Sequence, residues 1–279
     1  MTERMAGKVA LISGVARGQG RSHALRLVEE GASIIGFDGL CTYDTVPFSQ
    51  ATQEDLDETV ALVEKAGGKI VAGRADVRNR AEISAVVARG LEQFGQIDIV
   101  IANAGIGING RPFWEVPEAD WKDVLDVDLT GVWHTVSAAI PAMIEANRGG
   151  SVVMTSSAAA LKAAPNLGAY TAAKTGVIGL MRSMANDLAP YRIRANVVCP
   201  TSVPTDFLFN DRLYRIFRPD LEHPTAEDVK PVMAEMHPLG EPWIETQDIS
   251  AAVAYLASDE ARYITGIVLP VDLGLSIAF

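Results

Sequence analysis

Little in this chain points to cross-links, metals or membranes. It holds two cysteines, Cys41 and Cys199, in 279 residues. They lie far apart and have no neighbours at metal-ligand spacing. That pattern excludes a disulfide framework and an ordinary zinc site, and it suits a reducing, cytoplasmic compartment. The apolar runs are strand-sized, too short to cross a bilayer, and no signal peptide or anchor is expected at the N-terminus. Positive charge is scarce as well: 24 Lys and Arg stand against 35 Asp and Glu, a net charge of −11. Such a surface repels phosphate backbones, which argues against nucleic acid. An anionic dinucleotide is not excluded, because a few backbone N–H groups hold phosphate whatever the net charge. His23, His134, His223 and His237 show no ligand spacing, so they read as surface or packing residues and no metal is expected.

What the chain does have is rhythm. Short apolar segments alternate with amphipathic ones. Strands are predicted at 8–13, 32–37, 70–75, 98–102, 151–155, 193–198 and 266–271. Helices are predicted at 18–30, 52–66, 80–94, 117–146, 168–188 and 247–256. Near-continuous apolar strands alternating with helices specify a parallel sheet covered on both faces. Right-handed crossovers make it a doubly wound, Rossmann-type α/β fold. Repeats, low-complexity tracts and linkers are lacking, so 1–279 reads as one dinucleotide-binding catalytic domain.

Two stretches break the rhythm. Residues 39–50 insert a loop after the second strand, with Cys41, Tyr43, Val46, Pro47 and Phe48 as apolar surface. It is either a surface excursion or a cover over the adenosine half of a bound dinucleotide. Residues 201–242 form a long irregular stretch. Phe207, Leu208, Phe209, Leu213, Tyr214 and Phe217 suit either a helix packed on the domain or an apolar substrate lid. Arg212, Arg215 and Arg218 in the same stretch keep an anionic substrate group in play. Phe113, Trp114, Leu161 and Trp243 are further candidates for the pocket wall. Trp121 and Trp133 read as core or interface.

The first strand runs into Ser13-Gly14-Val15-Ala16-Arg17-Gly18-Gln19-Gly20. Glycines between a strand and a helix let a pyrophosphate approach the helix's free N–H groups. A glycine-rich turn alone is weak evidence. Asp38 strengthens it, since it follows the second strand twenty residues after Gly18. There a carboxylate reaches the ribose hydroxyls of NAD and repels a 2′-phosphate. Arg17 pulls the other way, as a basic residue that could pair with that phosphate or face solvent. The expectation is NAD.

These motifs resemble the short-chain dehydrogenase/reductase family over nearly the whole chain. Ser13-Gly14-x-x-x-Gly18-x-Gly20 is similar to its cofactor loop, with Ser for the usual Thr. Asp76-Val77 resembles its adenine-contacting pair. Asn103-Ala104-Gly105 resembles the family motif that supports the sheet beside the cofactor. Ser157 with Tyr170-x-x-x-Lys174 resembles its catalytic set. The stretch from Gly14 to His23 and the insertion after Asp38 are similar to the carveol-dehydrogenase-like, mycofactocin-associated subgroup. So is Pro200-Thr201-Ser202-Val203-Pro204-Thr205, where the resemblance implies nicotinamide contacts near Val203 and from Thr205. It also implies a homotetramer, a retained cofactor and transfer of electrons to a separate carrier, mycofactocin. Asp128 stands where the family usually has Asn, a residue that holds a water on the path to the lysine. The fourth catalytic position is therefore a departure.

The chemistry follows from the residue types. Oxidising an alcohol needs a base for its proton and an acceptor for its hydride, which the cofactor supplies. Tyrosine, with an ordinary pKa near 10, needs nearby positive charge to act as that base. Tyr170 and Lys174 are four apart, on one helix face. Ser157 can hydrogen-bond the substrate oxygen. A Tyr-x-x-x-Lys pair alone is common on surface helices; its value comes from Ser157, the glycine loop and Asp38 in order. The expected substrate is a mostly apolar secondary alcohol or its ketone. The rivals are an NADPH-dependent ketone or ketoacyl reductase and a non-catalytic dinucleotide sensor.

Overall fold

The chain's strands are β1 (Val9–Ser13), β2 (Ser33–Asp38), β3 (Ile70–Arg74), β4 (Ile99–Ala102), β5 (Gly150–Thr155), β6 (Ile193–Pro200) and β7 (Val268–Val271). In the computed structural model, which describes residues 3–46, 48–107 and 110–278, these seven form one sheet ordered β3-β2-β1-β4-β5-β6-β7. Every neighbouring pair is parallel. The expected doubly wound α/β fold is therefore present. Pro47, part of the expected apolar surface of the insertion, and the first two residues of the N-terminus lie outside the described residues.

The central strands are apolar because both faces are covered. Leu11, Ile35, Val100 and Val152 belong to one core cluster, and Ala10, Ile12, Ile34, Ile99, Ile101 and Val153 to the other. Alternate residues of one strand thus feed opposite layers. Burying a Leu or Ile side chain contributes about 1.5–3 kcal/mol.

Helix boundaries follow local chemistry. α1 (Gly18–Glu29) stops before Gly31, whose φ of +96° favours glycine. α2 (Gln53–Lys65) starts from a Thr52–Asp55 capping box, and α3 (Arg80–Phe94) from the Asn79 side chain. The predicted long helix at 117–146 is interrupted. α4 (Glu118–Leu125) passes through a π-helical turn, Asp126–Thr130, into α5 (Gly131–Ala146). That extra residue per turn rotates Asp128 inward, where it is fully buried. α6 (Gly168–Leu188) follows β5. The stretch after β6 carries α7 (Asp211–Phe217) and α8 (Ala226–Met236), and α9 (Thr246–Ala257) precedes β7.

α9 packs on α1. Between them His23 is wholly buried, with Nδ1 2.8 Å from Ser250 Oγ. Burial pushes its imidazole down to about 4, so His23 is a neutral packing residue, as its lack of ligand spacing suggested. Among the described residues no helix is long and apolar enough to cross a membrane.

Candidate active site

β1 and β4 are neighbours in the sheet although β2 and β3 lie between them in the chain. At such a reversal the loops leave in opposite directions and open a crevice beyond the strand ends. A cavity of about 870 Å³ lies there, lined from the loops after β1, β2, β4, β5 and β6.

Its dinucleotide end is built from the glycine turn. Gly14 has φ +70°, and a Cβ there would come 2.9 Å from Ala104 Cα; a Cβ on Gly20 would come 1.9 Å from the Gly14 carbonyl oxygen. Backbone packing therefore demands both glycines. No side chain caps α1, so its first N–H groups are open to a ligand. Gln19 Oε1 is buried without a partner among the described residues. Asp38 accepts a hydrogen bond from Ala16 N at 3.1 Å. Burial raises its carboxyl, while the N–H groups of Ala16, Leu40 and Gly39 and the charge of Arg17 work against that rise. Open helix N–H groups, an unpartnered amide and a held carboxylate on one cavity fit a pyrophosphate and a ribose.

Most of the predicted cofactor residues meet on this cavity. Gly14, Arg17, Gly18, Gln19, Asp38, Val77, Asn103, Ala104, Gly105, Pro200, Val203 and Thr205 line it, with Tyr170 and Lys174 at the other end. Ser13 Oγ accepts from the N–H groups of Asn103 and Ala104 at 3.0 and 3.1 Å, and Thr155 Oγ1 donates to Asn103 Oδ1 at 3.3 Å. Asn103 thereby ties β1, β4 and β5 together. Gly20 and Asp76 do not line the cavity. Gly20 packs beneath the turn, and Asp76 is held by Arg78 at 2.7 Å because that exposed cation follows it in the same loop. Arg17 is half-buried and paired rather than free. Its guanidinium pairs with Asp206 at 2.5 Å and donates to the Ser49 carbonyl.

At the reaction end, α6 presents Tyr170 and Lys174 to the cavity, and Ser157 follows β5. Lys174 Nζ donates to the Thr155 carbonyl at 3.3 Å and lies 5.5 Å from the Tyr170 ring centre. Asp128 stands behind the lysine, off the cavity, with Oδ2 3.7 Å from Nζ. Its Oδ1 accepts from Ile106 N at 2.8 Å, while Oδ2 has no hydrogen-bond partner among the described residues. Burial works to lower the Lys174 ammonium, but Asp128 and Tyr170 lift it above its ordinary value. Burial raises the Tyr170 phenol; Lys174 lowers it, Asp128 raises it and the Ser157 hydroxyl lowers it, with a net rise. The sequence suggested that Lys174 brings the tyrosine down. In the fold, burial and Asp128 outweigh that pull.

The two irregular stretches meet over the cavity. The insertion is anchored by Tyr43 under Arg78 at 4.4 Å, by Thr45 Oγ1 on Asp123 at 2.8 Å and by Ser49 on Arg17. It is not a loose excursion. From the other side come Phe207, Leu208, Leu213, Ile216 and Phe217. One segment does both things expected of that stretch, since α7 packs on α8 and also lines the cavity. Of the three lid arginines none lines the cavity: Arg212 donates to the Thr45 carbonyl, Arg215 is exposed and Arg218 pairs with Asp220. The expected wall residues Phe113, Trp114, Leu161 and Trp243 do not line it either. Phe113 and Trp114 are 74% and 71% exposed and meet edge to face, and Trp243 packs on Phe209. Sequence reading missed Lys162, whose ammonium donates to the Ala278 carbonyl at 2.6 Å, and Leu275, which lines the cavity from the C-terminal side. No spacing signal links those two segments.

Comparison with known proteins agrees with this geometry. The family model described as enoyl-(acyl carrier protein) reductase matches residues 14–276. A (−)-trans-carveol dehydrogenase of Rhodococcus erythropolis is 46% identical over 274 residues, covering 98% of this chain and 99% of that protein. The solved carveol dehydrogenase of Mycobacterium avium in complex with NAD is 50% identical, with a TM-score of 0.96 over 98% of this chain and 99% of that one. A short-chain dehydrogenase of Mycobacterium paratuberculosis bound to NAD is 38% identical, with a TM-score of 0.90 over 98% and 99% of the two chains.

Proposed function

The chain belongs to the short-chain dehydrogenase/reductase family, and from that premise we propose that Tyr170 takes the hydroxyl proton of a mostly apolar secondary alcohol, with Lys174 and Ser157 as its partners. The protein is an NAD-dependent dehydrogenase acting on CH–OH groups. The observation that carries the finer reading is the convergence of Ser157, Tyr170 and Lys174 on one cavity with Asp38 and the open end of α1.

Ser157 holds the alcohol oxygen, and Tyr170 Oη accepts its proton; in reduction Tyr170 returns it. Bound NAD would supply the hydride acceptor and, when oxidised, a positive charge. That charge is needed here, because Lys174 alone leaves the phenol above its ordinary range. Asp38 would hold the ribose, the N-terminus of α1 the pyrophosphate, and Val203 and Thr205 the nicotinamide side. Arg17 is spent on Asp206 and Ser49, so no free cation in the glycine turn awaits a 2′-phosphate. Asp128 positions Lys174 rather than touching substrate.

The apolar lid supports an alicyclic or terpenoid alcohol over a hydroxy acid. None of the three arginines of that stretch lines the cavity, and of the cations that do, Arg17 pairs with Asp206 and Lys162 donates to the Ala278 carbonyl. The closed pair of covers supports a cofactor that stays through turnover, its electrons passing to a separate carrier such as mycofactocin. Exposed Trp121 and Trp133 on α4 and α5 support assembly into a homotetramer. Two free cysteines suit the cytoplasm. Single-turnover assays with cyclic alcohols and hydroxy acids of equal size test the substrate class. Preference for the alcohols is expected, and preference for the acids would reverse the choice.

A further inference from the structure

The insertion follows Asp38, on the dinucleotide side, yet one of its side chains reaches the reaction end. The Phe48 ring centre is 5.7 Å from that of Phe207, at 57°, and Phe207 is 5.9 Å from Tyr170, at 48°. Tilted pairs at these separations are in favourable contact. The three rings make a continuous apolar column from the cofactor cover to the phenol. Gly107, after β4, provides the seat: a Cβ there would come 2.7 Å from Phe48 Cε1. Thr45 on Asp123 and Ser49 on Arg17 anchor the insertion on both sides of Phe48. Phe48 itself lines the cavity.

We propose that Phe48 is a specificity-determining residue, a wall of the substrate chamber supplied by the cofactor cover and seated by Gly107. This rests on the reading of the cavity as an alcohol site beside Tyr170. With the ring in place, a small alicyclic alcohol is pressed towards the phenol and the hydride acceptor. Without it, the alcohol has room to turn away, and reaction needs close, aligned atoms. A bulkier alcohol fills the vacated space and loses less. The segment that closes over the cofactor therefore also reads the size of the substrate.

The test compares cyclohexanol with carveol. Both are followed by single-turnover formation of reduced nicotinamide and by calorimetric binding to the NAD-loaded protein. Phe48→Ala should lower efficiency with cyclohexanol by about tenfold or more, in line with the roughly 10–200-fold worth of a small apolar contact, and lower carveol less. The selectivity ratio then moves towards the larger alcohol. Gly107→Ala keeps the ring but pushes it into the chamber, so the ratio should move towards the smaller alcohol. Phe48→Leu, a mild truncation, should fall between Phe48→Ala and the unmodified protein and guards against a folding failure. A ratio unchanged within about twofold in Phe48→Ala, accompanied by faster NAD release, would overturn the proposal and leave the insertion as a cofactor cover only. If the unmodified protein oxidised neither alcohol, the functional reading would fail, while the calorimetric ratio would still decide the role of Phe48.

Discussion

Replacing Asp128 with Asn removes one buried negative charge and nearly nothing else. The side chain keeps its length and the oxygen that accepts from Ile106 N at 2.8 Å. What goes is the charge 3.7 Å from Lys174 Nζ. At that distance a unit pair is worth about 1 kcal/mol in water and about 4 kcal/mol at an effective dielectric near 20. Lys174 therefore loses part of the support that holds its ammonium above the ordinary lysine value against the pull of burial. While Lys174 stays protonated, Tyr170 keeps its positive neighbour and loses a negative one. The phenolate is favoured, and the acid limb of the alcohol-oxidation profile should move to lower pH. Stability should fall by about 1–3 kcal/mol, the cost of a buried group left poorly satisfied. The assay is single-turnover rate against pH for both proteins, with thermal unfolding alongside. An unmoved limb, or one moved to higher pH, would refute the role given to Asp128.

Three more outcomes are expected. Asp38→Ala should weaken NAD binding by about tenfold or more, since bonds to a charged acceptor contribute roughly 1.5–3 kcal/mol; titration of both cofactors should show the gap to NADP narrowing, and an unchanged gap would remove Asp38 from the ribose site. Arg17→Ala breaks the clasp between the covers, so labelled NAD should exchange faster, with release affected more than capture; equal exchange rates would mean the clasp does not gate the cofactor. His23, pushed down to about 4 by burial, binds its proton more readily in the unfolded chain. Its contribution to stability is present above pH 6.5 and lost as pH falls through the folded value, up to roughly 3 kcal/mol. Denaturant midpoints at pH 7.5 and 4.5 should differ less in His23→Gln than in the unmodified protein, and an equal difference would count against it.

How much of this was legible depends on where the physics is local. Strand cores, the Gly31 stop and the Thr52 cap follow from neighbours in sequence, and the doubly wound parallel sheet follows from alternation and handedness, though not the order of its strands. The spacing of Ser157, Tyr170 and Lys174 already placed them together, because a strand end and one helix face fix their positions. Asp128 was noticed, but not that it lies off the cavity, since a π-helical turn leaves no periodic mark. Arg17 was read as a phosphate partner or solvent-facing cation because its partners, Ser49 and Asp206, come from two loops remote in the chain. For the same reason Phe113 and Trp114 were assigned to the pocket and Lys162 and Leu275 were not. Apolar character says that a side chain seeks cover, and only the packing of the loops says which cover it finds.

The central claim is that the Tyr170 hydroxyl carries the proton of the reaction. Single-turnover hydride transfer by Tyr170→Phe, measured with NAD binding by calorimetry on the same preparation, tests it most directly. The ring remains, so its contact with Phe207 at 5.9 Å should hold and NAD affinity should stay within a fewfold. The proton acceptor is gone, and loss of a positioned acid–base group costs roughly 10²–10⁴ in rate. A drop in that range with NAD still bound is the predicted result. Hydride transfer at near the unmodified rate would contradict the account.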